Sequence, residues 1–170
     1  AGQDLNFTVT ATDPDGDDIV FYAADLSTVL AYEVEQYDGT AGTLVAWVRL
    51  PVLSFALDTV FYLAYGNGLI SSSLANPTGV WDSNFKGVWH LDEDQTGTGA
   101  NDLYTDSTTN GNHGDDQVSA TGQEGQVGAG QQFDGSNDYV DMGNVLDYGK
   151  NDPVTYSAWI KTSGTYMQIA

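Results

Sequence analysis

The stretch from Gly125 to Gly143 (GQVGAGQQFDGSNDYVDMG) limits this chain to a fold built from extended strands and tight turns. Gln131–Phe133 and Tyr139–Met142 have the composition of strands, and the five residues between them form a dense turn. Asp, Gly, Ser and Asn dominate such turns because they tolerate positive φ or bond their own backbone. The stretch therefore predicts a β-hairpin and, with it, an all-β fold.

Other parts of the chain also favour strands. Leu5–Ala11 strictly alternates apolar and polar residues, as a half-buried strand does. Leu44–Leu50 and Thr59–Tyr65 are apolar on both faces, which predicts central strands covered on both sides. No helix longer than about three turns is indicated, and Leu69–Leu74 is the candidate for a short one. The predicted strands are Leu5–Ala11, Ile19–Ala24, Val29–Tyr37, Leu44–Leu50 and Thr59–Tyr65, with a hairpin loop at Asp38–Gly42.

The charge of the chain excludes one class of partner. There are 24 acidic residues against 4 basic ones, for a formal net charge of −20. Nucleic acid is excluded as a partner because binding phosphates requires Lys and Arg. Two explanations of the acidity remain open and can coexist. One is a solvated acidic surface, as in marine or halophilic secreted proteins, and the other is binding of divalent cations by part of the Asp.

The chain has no cysteine, which excludes disulfides and cysteine-ligated zinc. No apolar run approaches the roughly 20 residues of a membrane span. The sequence begins at Ala1 rather than Met, which is typical of a mature or excised piece. These features predict an extracellular or cell-surface protein of prokaryotic origin.

Four segments of the first half resemble an uncharacterised family of secreted prokaryotic β domains. The resemblance covers residues 17–67 and implies an N-terminal antiparallel β domain. Members of that family often precede a laminin-G-like domain, and some are fused to proton-channel subunits. No activity is established for the family, so the resemblance implies architecture and location rather than chemistry. The segments are DDIVFYAAD (Asp17–Asp25), LAYEVEQYD (Leu30–Asp38), LVAWVRLP (Leu44–Pro51) and FYLAYGN (Phe61–Asn67).

The second half resembles a laminin-G-like, concanavalin A-like jelly roll over residues 86–161. The resemblance rests on GVWHLDE (Gly87–Glu93), DSTTNGNHG (Asp106–Gly114), the stretch described first, and VTYSAWIK (Val154–Lys161). Such jelly rolls need more strands than this chain offers, so the resemblance implies a sandwich that is incomplete at its C-terminal end. Unpaired edges attract further strands, which predicts strand exchange or self-association.

The predicted organisation therefore has three parts. An N-terminal β domain of unknown function covers residues 1–75, a polar connector covers 76–85, and a partial laminin-G-like jelly roll covers 86–170. The predicted fold class is an all-β sandwich of the jelly-roll type, preceded by an antiparallel β domain.

Calcium is the candidate cofactor. The jelly-roll resemblance implies an ion site among the loops, where calcium would need about 6–8 oxygen ligands. Crowded carboxylates without a nearby cation also raise one another's pKa unless something neutralises them. The alternative is that the same residues only form turns in solvent. The candidate ligands are Asp106, Asn110, Asp134, Asn137 and Asp138.

Glu33 and Glu35 are candidates for an acid pair. On one strand they would lie roughly 6.5–7 Å apart, a separation that suits an inverting glycosidase better than a retaining one. The concanavalin A-like fold also hosts glucanases with acids at i, i+2 and i+4, but Tyr37 occupies the third position and is predicted to share the face of both glutamates. Glycoside hydrolysis is therefore a minor alternative, and the chain is interpreted as not being an enzyme.

The histidines and tryptophans have two interpretations each. His90, one of 2 histidines with His113, is interpreted as a packed polar core residue because two histidines do not make a metal site. The tryptophans are candidates for a platform that stacks on sugars, although aromatic residues at strand spacing are usually core. They are Trp47, Trp81, Trp89 and Trp159.

Together these features predict a non-catalytic extracellular binding or adhesion module that recognises a glycan or a surface protein, with calcium bracing its loops. The alternative is a structural subunit of a surface layer, stalk or filament that assembles through strand edges. The step from fold to binding is an analogy, since jelly rolls host many functions.

Overall fold

The computed structural model describes residues 19–95 and 98–162, and its regular structure is nearly all β, which confirms the all-β part of the predicted fold class. The predicted strand Leu5–Ala11 lies outside the described residues. No helix in the described part is long and apolar enough to cross a membrane. The elements are β1 (Val20–Ala23), β2 (Tyr32–Asp38), β3 (Thr43–Val48), β4 (Phe61–Ala64), α1 (Pro77–Val80), β5 (Asp115–Gln117), β6 (Ala120–Glu124), β7 (Ala129–Gln132) and β8 (Tyr139–Asp141).

The strands form antiparallel pairs, in which β1 pairs with β4, β2 with β3, β5 with β8 and β6 with β7. An isolated bridge between Tyr22 and Val29 joins β1 to the segment that leads into β2. The arrangement is consistent with a β-sandwich.

Aspartates close the first two turns. Asp25 follows β1, and its Oδ1 accepts the N–H groups of Ser27 and Thr28 at 2.9 and 2.8 Å. Asp38 ends β2 and its Oδ1 accepts the N–H groups of Thr40 and Ala41 in the same manner. Asp favours turns because its short carboxylate can accept hydrogen bonds from backbone groups two or three residues on. The hairpin loop predicted at Asp38–Gly42 is confirmed.

The hydrophobic core lies among the first three strands and the segment between β1 and β2. The rings of Phe21 and Tyr32 are 5.3 Å apart between centroids, and the Tyr32 hydroxyl donates to the carbonyl of Ile19 at 2.6 Å. A buried aromatic ring contributes most when its polar end also finds a partner, as it does here. The buried core residues are Ile19, Phe21, Leu30, Tyr32 and Leu44.

The predicted hairpin within Gly125–Gly143 is wrong in its pairing. Strands β7 and β8 do flank the predicted turn, but β7 pairs with β6 and β8 pairs with β5. The Asp138 carboxylate at the end of the turn accepts hydrogen bonds from the N–H and hydroxyl of Ser119, at 3.2 and 2.9 Å. These bonds tie the start of β8 to the residues after β5 rather than to β7.

Three other predictions also differ from the structure. Within the described residues β3 and β4 each pair on one side only, so neither is a central strand there. Tyr62 and Ala64 of β4 are exposed, whereas β3 is buried or half-buried on both faces from Leu44 to Val48, as predicted. Val154–Lys161 is exposed throughout and belongs to no strand there. The short helix is α1, not Leu69–Leu74. It begins at Pro77 because Asn76 caps it, with the side-chain oxygen accepting the N–H of Gly79 at 3.1 Å.

Candidate functional site

A β-bulge in β2 brings Glu33 and Glu35 to one histidine. In the register with β3, Val34 pairs with Ala46 and Gln36 pairs with Val45, so Glu35 is an extra residue with no partner opposite. A bulge shifts the alternation of side chains by one position. Tyr37 therefore packs against the hydrophobic core, and the prediction that it shares the face of both glutamates is wrong.

His90 lies between the two glutamates. Its Nε2 is 3.1 Å from Glu33 Oε2 and its Nδ1 is 3.2 Å from Glu35 Oε2. The Nε2 approach lacks hydrogen-bond alignment, so attraction between charges holds that contact. Only 12%, 11% and 2% of the side-chain surfaces of His90, Glu33 and Glu35 are exposed. We call these residues the Glu–His–Glu triad.

Two indoles and a hydroxyl satisfy the carboxylates of the triad. Trp81 Nε1 donates to Glu33 Oε2 at 2.9 Å, and Ser107 Oγ donates to Glu33 Oε1 at 2.5 Å. Trp47 Nε1 donates to Glu35 Oε2. The Trp47 ring also stacks on the His90 ring, with centroids 5.8 Å apart and planes at 27°. Stacking of an indole on a protonated imidazole is stabilising.

His90 and Glu33 keep their charges at neutral pH. Burial alone would lower the pKa of His90, but the contacts with Glu33 and Glu35 outweigh it and raise the pKa to about 10. Burial alone would raise the pKa of Glu33, but its contacts with His90, Ser107 and Trp81 hold that pKa below its ordinary value. His90 is therefore a cation and Glu33 an anion. Neither is poised to exchange a proton near pH 7, which is what a general acid or base must do.

The triad joins distant parts of the chain. Glu33 lies in β2, Trp81 directly follows α1, and Ser107 lies 74 residues beyond Glu33. The predicted connector, residues 76–85, also contacts the first block, since the N–H of Asn76 donates to the carbonyl of Tyr32 at 2.8 Å. Side chains on both sides of the connector are thus held together by one buried ionic cluster.

Gly128, before β7, closes over Glu35. Its φ is +57°, and a Cβ added there would lie 2.8 Å from Glu35 Oε1. Gly135 serves as the control position, because it also has a positive φ, +75°, but no atom lies within 4 Å of an added Cβ. Gly135→Ala should lower the free energy of unfolding by about 1–2 kcal/mol, the cost of a left-handed Ala. Gly128→Ala should cost about 1 kcal/mol more because it also displaces Glu35. Chemical denaturation of both variants measures the difference, and equal losses would contradict the contact.

The predicted ion ligands lie in two loops. Asp106 Oδ1 accepts the N–H groups of Val88 and Thr108, and its Oδ2 accepts the N–H of Asn112. Burial alone would raise the pKa of Asp106, but these bonds hold it below its ordinary value. The side-chain nitrogen of Asn110 donates to the carbonyls of Phe85 and Lys86.

The other three predicted ligands form the turn before β8. Asp134 Oδ1 accepts the N–H groups of Ser136 and Asn137, while Asp138 Oδ2 accepts the N–H of Asp134 at 2.9 Å. Within residues 19–95 and 98–162, no group of three or more His, Asp or Glu side chains is arranged to hold a metal ion. The carboxylates of Asp134 and Asp138 stabilise the turn by accepting its backbone N–H groups. Calcium binding stays a prediction, which thermal melts with chelator and with calcium would test.

The sequence pointed to the members of the triad but not to their contact. Glu33 and Glu35 stand out as an i, i+2 pair, and His90 as a packed polar residue, which the structure confirms. Nothing in the local sequence shows that the indoles of Trp47 and Trp81 donate to those carboxylates. As arranged, the triad is a fixed charge cluster in which both oxygens of Glu33 and Oε2 of Glu35 already contact donors.

Comparison with known proteins places the chain in a family. A family described as Domain of unknown function (DUF2341) matches residues 15–102, which is more than half of the chain. The match spans the four segments of the first half, continues through α1 and includes His90. No significant match was found among curated proteins or among solved structures. The chain therefore belongs to the family described as Domain of unknown function (DUF2341).

Proposed function

We propose that this chain is a non-catalytic binding module on the outside of a cell, and that it recognises a protein rather than a glycan. The observation that carries the proposal is a large set of exposed apolar side chains between β3 and α1. Phe55 is fully exposed, and Leu53 and Leu69 are 71% and 92% exposed. A concentration of exposed apolar side chains well above single scattered ones typically marks an interaction site.

This surface is also the part of the chain that lacks charge. Residues 39–81 contain one acidic residue, Asp58, and one basic residue, Arg49, although the whole chain carries a net charge of −20. We call residues 39–81 the neutral stretch. A strongly acidic surface repels other acidic macromolecules, whereas the neutral stretch lets a partner approach without that repulsion. Its large exposed apolar residues are Val52, Leu53, Phe55, Leu57, Val60, Tyr62, Tyr65, Leu69 and Leu74.

The kind of side chain favours a protein partner. Sugar-binding platforms use the open faces of several aromatic rings. Trp47 and Trp81 pack on each other at 5.4 Å with their N–H groups engaged by the glutamates, and of the four tryptophans Trp159 alone is largely exposed. The neutral stretch instead offers many aliphatic side chains, which suit an apolar partner surface.

The geometry of the triad supports a non-catalytic role. An inverting glycosidase needs one protonated acid and one carboxylate that can activate water. Here both oxygens of Glu33 contact hydrogen-bond donors, and Glu35 is almost completely buried. Hydrolysis stays an alternative to be tested as release of reducing sugar that Glu33→Gln abolishes.

We also propose that strands β5–β8, within residues 86–161, form part of a laminin-G-like jelly roll. Strands β6 and β7 pair with each other, and β5 and β8 pair around them. Such nested antiparallel pairing is how a jelly roll is wound, which supports the proposal beyond the sequence resemblance. An experimental structure in which β5–β8 and β6–β7 lie in two facing sheets would be the expected result.

The binding surface can be tested with a dye that reports exposed apolar area. Native protein should enhance the fluorescence of 8-anilinonaphthalene-1-sulfonate, and Phe55→Asp should reduce the enhancement about twofold or more. The matched control is Leu26→Asp, which adds the same charge at an exposed leucine outside the neutral stretch. Both variants should keep the wild-type stability within about 0.5 kcal/mol.

Two results would contradict the proposal. One is a native protein that does not enhance the fluorescence, because the apolar side chains would then be covered in solution. The other is a glycan that binds on an array with an affinity that Phe55→Asp leaves unchanged, because recognition would then use another surface.

A further inference from the structure

Within residues 19–95 and 98–162, strand β4 is paired along one edge only, and we call its other edge the open edge. The N–H of Leu30 donates to the carbonyl of Phe21 at 2.8 Å, so the main chain of Phe21 faces away from β4. Leu63 is the partner of Phe21 in the register, and in an antiparallel ladder both members of such a pair turn their polar groups outward. The N–H and C=O of Leu63 therefore point away from β1. Among the described residues β4 has no second neighbour that could receive them.

The segment Val154–Lys161 has the pattern of a strand without the pairing of one. Val154, Tyr156, Ala158 and Ile160 alternate with Thr155, Ser157, Trp159 and Lys161. β-Branched and aromatic residues at a period of two are typical of a strand with one apolar face. In the structure all eight residues are exposed, and none belongs to a strand. An exposed, apolar, strand-like segment is a template for pairing with an open edge.

The distribution of acidic residues determines which surfaces of two copies of this chain can associate without strong repulsion. The longest runs without an acidic residue are 39–57, 59–81 and 153–170, and the first two flank Asp58 in the neutral stretch. Elsewhere, two copies of a chain with a net charge of −20 would bring carboxylates against carboxylates. The open edge of β4 and the segment Val154–Lys161 are the surfaces that two copies can join with least repulsion.

We propose that Val154–Lys161 of a second copy of this chain adds as a strand to the open edge of β4. This names the partner of the binding surface proposed above and rests on that proposal. The added strand would pair its backbone with the outward groups of Leu63 and lay its apolar side chains beside the neutral stretch. Backbone hydrogen bonds give such strand addition its affinity, and the alternate side chains give it its specificity.

The test is sedimentation velocity on wild type and three aspartate variants, from dilute to concentrated protein at moderate salt. Ile160→Asp charges the apolar face of the donor segment, and Tyr62→Asp charges an exposed side chain of β4. Leu26→Asp adds the same charge at neither surface and is the matched control. Wild type and Leu26→Asp should self-associate with the same affinity. Ile160→Asp and Tyr62→Asp should each self-associate at least about tenfold more weakly, a loss of about 1.4 kcal/mol or more of association free energy.

Mixing the two weakened variants separates donor–acceptor pairing from unspecific adhesion. The Tyr62→Asp copy keeps an intact donor segment and the Ile160→Asp copy keeps an intact acceptor edge. A mixture of the two should therefore associate more strongly than either variant alone. Hydrogen exchange should show that the Leu63 amide becomes protected as wild type associates.

Several outcomes would overturn the proposal. They are a wild type that stays monomeric at every concentration, equal association of all three variants, and a mixture no stronger than its components. A monomer with a protected Leu63 amide would assign the edge to the same chain instead of a second copy. Each of these results can occur while the dye still detects the Phe55-dependent apolar surface, so failure of this inference is distinguishable from failure of the proposed function.

Discussion

Replacement of Glu33 by Gln should lower the free energy of unfolding by about 3 kcal/mol, because it leaves a buried His90 cation short of one anion. Removing one partner from a buried ion cluster is costly because the remaining charge stays desolvated. Glu33 also accepts hydrogen bonds from Ser107 and Trp81, at 2.5 and 2.9 Å, which the neutral amide would accept less strongly. Urea unfolding at neutral pH, followed by tryptophan fluorescence, measures the loss.

Glu124→Gln is the matched control for this substitution. Glu124 is exposed at the end of β6, so the same chemical change there should alter stability by no more than about 0.5 kcal/mol. A Glu33→Gln variant as stable as Glu124→Gln would mean that the triad contributes nothing to the fold. In that case the triad would not stabilise the contact between the two sides of the connector.

The stability of the protein should fall as the pH rises from about 7 to 9, with a slope approaching 1.4 kcal/mol per pH unit, or roughly 3 kcal/mol in total. The folded state holds a proton on His90 up to a pKa of about 10, whereas in the unfolded state His90 returns to its ordinary value of 6.5. The folded state therefore binds one more proton in this interval, and raising the pH favours unfolding. The contribution is fully present below pH 6.5 and is lost as the pH passes the folded pKa.

Denaturant unfolding at a series of pH values measures this slope. His90→Gln should flatten it, and His113→Gln should keep it even if the loss of the bond to the N–H of Asp106 lowers stability at every pH. A wild-type slope near zero between pH 7 and 9 would show that His90 is neutral in the folded protein. The interval lies below the ordinary tyrosine pKa of about 10, and burial raises the pKa of Tyr32 and Tyr104 above it.

At acidic pH the opposite dependence is expected from Glu33 and Asp106. The pKa values of Glu33 and Asp106 are held below their ordinary values in the folded state. Their contribution to stability is present above the unfolded pKa and is lost as the pH falls through the folded one. Together, Glu33, Asp106 and His90 should therefore stabilise the protein most between the acidic interval and about pH 7.

The sequence alone determined the class of fold and the positions of the turns. The apolar run Ile19–Ala24 and the alternation along Val29–Tyr37 predicted β1 and β2 to within a few residues, and Asp38 predicted the turn after β2. These features depend on groups only two to four residues apart in the chain. Their physical causes are the period of a strand and the reach of an Asp side chain to nearby N–H groups, and both can be read locally.

Only the tertiary structure decided which strands pair and what surrounds the two glutamates. The turn at Asp134–Asp138 was predicted, yet the strands on either side of it do not pair with each other. β7 pairs with β6 and β8 pairs with β5, and neither choice can be read from the turn itself. A one-residue bulge at Glu35 reversed the face of Tyr37, and no local pattern marks it. The Trp81–Glu33 bond spans 48 residues. Contacts of that length depend on how whole strands pack, because a buried charge is stable only where the fold assembles its partners from distant segments.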